Sequence, residues 1–175
     1  RWRAYASAVV SVLRTVQPEV VVFLGAMITD APHSRPAQVS GTAHDADSAA
    51  RLGLEVSTYE GPTGITGVLS EACRAAGFDV ASLWASVPHY VANPPNPKAT
   101  LALLTRVEDL LDQTLEVGDL PELAKAWERG VDELAGEDPD VADYIAGLEA
   151  QRDESELPEA TGDAIAAEFQ RYLRR

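Results

Sequence analysis

The chain has 175 residues, with 28 acidic against 14 basic side chains and a formal charge of −14 at pH 7. That balance argues against a nucleic-acid surface, because neutralising phosphates takes clustered cations. No run approaches the roughly 18 apolar residues that a membrane-spanning helix needs, and the opening Arg1-Trp2-Arg3 has no signal-peptide pattern. A single cysteine, Cys73, excludes an internal disulfide and suits a reducing cytoplasm. It lies among apolar helix neighbours and reads as core rather than nucleophile.

In chain order, Tyr5, Val9, Leu13 and Val16 recur at helical spacing and predict a helix over 4–16 that Pro18 stops. The run from Glu19 to Met27 is β-branched and almost unbroken in its apolarity, as expected of a strand covered on both faces in a parallel sheet. Two prolines and a glycine make 29–43 irregular. A short helix is predicted over 45–52, with Asp45 or Asp47 as N-cap, and a weaker strand over 54–59. Gly61 and Gly64 turn the chain into a helix whose stripe is Ile65, Val68, Leu69, Ala72 and Ala76, and Gly77 closes it. A strand over 78–87, a proline-rich loop over 88–98 and a helix over 99–113 follow.

Composition changes after Leu115. Three helical patterns are predicted at 119–135, 138–152 and 160–173, and the acidic excess is concentrated in 108–160. Such a skew reads first as a solvated helical face and second as an acidic docking surface. The expected division is an α/β core over 1–114 and an acidic helical extension over 115–175. Alternation of helix and strand predicts a layered α/β core with parallel pairing. About three strands are too few to shield both faces, so further strands are expected from sequence before Arg1 or from a partner.

Three segments carry a family likeness. Gly25-Ala26-Met27-Ile28-Thr29-Asp30-Ala31-Pro32-His33-Ser34-Arg35-Pro36 is the first, and Tyr59-Glu60-Gly61-Pro62-Thr63-Gly64-Ile65 the second. The third joins Ser86-Val87-Pro88-His89-Tyr90 to Pro94-Pro95-Asn96-Pro97-Lys98-Ala99. In this order they resemble the proteasome-assembly-chaperone-two-like family, in its uncharacterised, mostly actinobacterial branch. The likeness covers 1–113, and the acidic tail is similar to that branch's C-terminal extension. It implies a three-layer α/β/α sandwich of phosphorylase/hydrolase-like type whose opening strands lie outside this chain. It also implies a cytoplasmic protein that forms homo-oligomers or binds protein partners, and it implies no catalytic residue set.

Ligands of open α/β sheets bind at the carboxyl ends of the strands. Asp30, His33 and Arg35, then Glu60, Gly61, Thr63 and Gly64, then His89, Tyr90 and Lys98 are therefore expected to meet on one rim. Helix-start amides near Thr63 could hold an anion, Arg35 could clamp a phosphate or carboxylate, and His33 or His89 could move a proton. The plain alternative is that these groups pin loops or subunit contacts and that Thr63 is an N-cap. No hydrolase elbow is present, no zinc site is expected from two histidines without spaced acids, and no cofactor is implied. Two functions follow: a binding and self-assembling module, or an enzyme or binder for an anionic or nucleoside-like small molecule.

Overall fold

The computed structural model describes residues 1–61 and 64–156. Helix α1 (Trp2–Val16) ends in the left-handed Gln17, whose N–H donates to the Leu13 carbonyl at 2.7 Å. Strand β1 (Val20–Thr29) follows, then β2 (Val39–Ala43) and α2 (Ala46–Leu52). Of the two cap candidates Asp45 is the cap, its carboxylate accepting from Ser48 N at 2.8 Å. Next come β3 (Glu55–Val56), α3 (Ile65–Ala75), β4 (Asp79–Pro88), a 3-10 turn over His89–Val91 and α4 (Pro97–Leu111). Helices α5 (Leu120–Gly136) and α6 (Pro139–Glu156) complete the described chain; the helical pattern expected at 160–173 lies outside the described residues.

The four strands form one sheet in the order β1-β4-β2-β3. The pairs β1–β4 and β2–β3 are parallel, but β2 runs antiparallel to β4. This corrects two expectations. The stretch 29–43 is not wholly irregular, since its last five residues are β2, and the sheet is mixed rather than parallel throughout. β2 is too short to display an alternation of its own, and its strand character comes from its neighbours. A Cβ on Gly41 would lie 2.7 Å from Leu54 and 3.0 Å from Leu83, so only glycine lets those two leucines close over it. The strand expected over 54–59 shrinks to Glu55–Val56.

β4 is the spine of the core. Val80, Ala81, Leu83, Ala85 and Val87 are all buried along it. Ala85 and Val87 join Ala99 and Leu103 of α4 in one cluster, while α3 meets β4 and β1 and carries α1 behind it. Side chains alternate between sheet faces, so helices cover both and three layers result. Trp84 lies across its register partner Gly25: a Cβ there would come within 2.5 Å of the indole ring.

Leu83→Ala, at a site with no solvent exposure, should lower stability by about 2–5 kcal/mol, read as a lower urea midpoint with unchanged slope. Gly25→Val should likewise lower the midpoint by displacing the indole. A variant as stable as the parent would show that the strand pair tolerates a side chain there.

Candidate functional site

β1 and β4 run parallel and in register, with Thr29 beside Pro88. The loop after β1 and the 3-10 turn after β4 therefore leave the same edge, which brings Asp30, His33 and Arg35 to His89, Tyr90 and Lys98. The second glycine segment does not join them. β3 runs opposite to β4, so Glu60 and Gly61 follow a strand that leaves the sheet at the other edge. Glu60, Gly61 and Gly64 are exposed and make no described contact with the cluster. Gly64 is the N-cap of α3, without a side-chain cap bond, and Thr63 lies outside the described residues. The antiparallel insertion of β2 is the reason that two of the three expected segments meet and one does not.

His33 is the centre of the cluster and is only 3% exposed. Its backbone N–H donates to the Tyr90 hydroxyl at 2.8 Å, and its Nδ1 lies 2.9 Å from the same oxygen. Its Nε2 lies 2.9 Å from Asp132 Oδ1 on α5. One assignment satisfies every group: the Tyr90 hydroxyl donates to an unprotonated Nδ1, and Nε2–H donates to Asp132. The imidazole is thereby fixed at both nitrogens. Burial pushes the Tyr90 phenol up from its ordinary pKa; the His33 N–H opposes this, and the carboxylates Glu149 and Asp132 add to it. Tyr90 stays neutral and keeps the proton that this assignment requires.

The remaining polar groups are also held by the two acidic helices. Lys98 Nζ donates to the His33 carbonyl and to Glu128 Oε2 on α5, the latter at 2.6 Å. Ser34 Oγ donates to Glu149 on α6. Arg35 forks onto Asp153, Nε to Oδ1 at 2.8 Å and Nη2 to Oδ2 at 2.7 Å, and approaches Glu149 at 3.5 Å. This bidentate bond holds the Asp153 carboxyl below the usual carboxylate range. On the outer side, His89 Nδ1 faces Asp30 at 3.4 Å. Tyr144 of α6 lies edge-on to both His89 and Tyr90.

Five contributors were missed in the sequence: Glu128, Asp132, Tyr144, Glu149 and Asp153. A signal existed. Glu128/Asp132 and Glu149/Asp153 are each four apart, one helical turn, which puts each pair on one face. They adjoin the buried Val131, Ile145 and Leu148. The acidic excess is thus only partly a solvated face. The space left between Pro32, His33, Arg35, Asn96, Lys98 and Trp127 amounts to ≈ 20 Å³, room for about one water molecule. Among the described residues no cluster of His, Cys, Asp and Glu could hold a metal ion, and no helix is long and apolar enough to cross a membrane.

Two outcomes follow from this geometry. Tyr90→Phe removes the partner of two His33 nitrogens and should cost about 1–3 kcal/mol in a denaturant titration. A carboxyl with a depressed folded pKa stabilises above its ordinary value and loses that contribution as pH falls through the depressed one. Helix α6 should therefore loosen as pH drops below 3.8, the ordinary value for Asp153. Amide exchange along α6 measures this, and Asp153→Asn should remove that residue's share of the acid dependence.

With this geometry in hand, comparison with known proteins is informative. A family profile described as PAC2 family matches residues 1–135. The chain is 52% identical to a PAC2 family protein from Streptomyces avermitilis, with a TM-score of 0.75 and coverage of 83% of this chain and 61% of that one. It is 50% identical to a Mycobacterium tuberculosis proteasome-assembly chaperone homologue, with a TM-score of 0.71 and the same coverage of 83% and 61%. An archaeal homolog of proteasome-assembly chaperone from Pyrococcus furiosus, 23% identical, shares the fold with a TM-score of 0.56 over 76% of this chain and 60% of that one. Among curated proteins no significant relative is found. The chain spans 61% of the length of the first two relatives. The profile match over residues 1–135, together with half-identical relatives of the same architecture, establishes that the chain belongs to the PAC2 family.

Proposed function

We propose that this chain is a protein-binding module of the proteasome-assembly-chaperone type, acting in the cytoplasm on protein subunits or on further copies of itself. One observation carries the reading. The cationic and imidazole groups at the strand ends, which a small anionic ligand would need, are taken by carboxylates of the same chain. Arg35 is forked onto Asp153, Lys98 is bound to Glu128, and His33 is closed between Tyr90 and Asp132. Small-molecule sites are concave cavities of about 300–1,000 Å³, and the space of ≈ 20 Å³ on this rim is far smaller. The half-identical Mycobacterium tuberculosis relative, described as a proteasome-assembly chaperone homologue, supports the same direction. In this reading residues 1–114 form the binding core, and the acidic extension from 115 onward braces its loops through α5 and α6.

The test is size-exclusion chromatography with light scattering, on the chain alone and mixed with unassembled α and β subunits of an actinobacterial proteasome. The expected result is a mass above the monomer in at least one of these samples. A chain that stays monomeric in all of them defeats the reading. So would a melting point raised several degrees by inorganic phosphate or a nucleoside, and lost in Arg35→Ala, which would establish the small-ligand alternative.

A further inference from the structure

A second surface, away from the rim, exposes more apolar area than a working molecule leaves in water. β1 is an edge strand paired on one side with β4. Its residues Val20–Thr29 include no charge, no proline and nothing else that natural edge strands use to repel another strand. Leu24 is 49% exposed, Met27 44% and Ile28 68%. Beside it, α1 presents Trp2, Tyr5, Val9, Val12 and Val16, spaced alternately three and four apart, which is the stripe of a helix that packs against something. Four of these five are more than half exposed: Trp2, Tyr5, Val12 and Val16. A different side of α1, at Ala6 and Val10, already meets Val68 and Ala72 of α3. The helix therefore has two apolar sides, one used and one open, and the open one adjoins the free edge of β1.

We infer that this face receives an apolar β-strand, running parallel to β1 and lying under α1, supplied by the part of a PAC2-family polypeptide that falls outside the matched region. Three observations select that occupant. A continuous apolar run such as β1 belongs to parallel pairing with both faces covered. A closed two-fold pair of copies would set β1 antiparallel to itself, so a second copy fits less well. The two half-identical relatives carry, beyond the 61% of their length that this chain matches, further polypeptide able to contain such a strand. The backbone groups on the open side of β1 would then be bonded as those facing β4 are, and Trp2, Tyr5, Val12 and Val16 would gain a surface beneath them. The inference is independent of proteasome-subunit binding, and its test involves no such subunit.

The experiment is co-expression of this chain with the unmatched portion of the Streptomyces avermitilis PAC2 family protein, each separately tagged. A one-to-one complex is expected, with the β1 amides exchanging at least tenfold more slowly than in the chain alone. Val12→Lys with Ile28→Lys, at exposed positions, should abolish the complex while leaving the melting temperature of the lone chain within about 2 °C. Three results overturn the inference. The added polypeptide is not retained, it is retained equally by the lysine variant, or the chain alone is a dimer whose β1 amides are already protected. The last would make a second copy the occupant.

Discussion

A buried imidazole must find partners for both ring nitrogens, and meeting that demand at His33 organises one side of this molecule. Nδ1 and the backbone N–H share one phenol, and Nε2 reaches a carboxylate ninety-nine residues away in sequence. Around it, Lys98 and Arg35 draw Glu128, Glu149 and Asp153 onto the same loops. The acidic helices are therefore positioned by charge as much as by apolar packing. Individually, exposed ion pairs are worth only about 0–1 kcal/mol. The arrangement is consequential because several act together on a half-buried rim and because the loop they hold has few backbone bonds of its own.

The same interactions decide what the rim is suited to do. The residue types expected to grip an anion are present, and two of the three segments bearing them do converge. Their partners, however, are side chains of this chain. A guanidinium forked onto an aspartate is already in the geometry with which it would hold a phosphate, so an incoming anion would have to displace α6. That competition turns a rim of binding-type residues into a structural joint, and it shifts attention from small ligands to macromolecular surfaces.

Most helices and both long strands were legible in the sequence because each carries its own period: the stripe of α3, the unbroken apolar run of β1, the caps at Asp45 and Asn96. β2 was not legible, since five residues including Gly41 display no alternation and owe their conformation to β4. Its antiparallel direction follows from pairing, which a local pattern does not encode, and with it went the expectation that Glu60, Gly61 and Gly64 would join the rim. On the site, Asp30, His33, Arg35, His89, Tyr90 and Lys98 were found because loops after strands are natural places to look. Their acidic partners were hidden by an aggregate charge that suggested solvent. Separating Glu128/Asp132 and Glu149/Asp153 by helical turn, rather than summing their charge, would have exposed them.

The indole of Trp84 resting on bare backbone at Gly25 makes two positions fifty-nine residues apart a single unit of inheritance. A side chain can arise at 25 only after the ring at 84 has shrunk, and a smaller residue at 84 leaves a hollow until 25 grows. Each change is unfavourable alone and tolerable after the other. Descendants of this sequence should therefore alter the two together or neither, and drift at one will depend on the history of its counterpart.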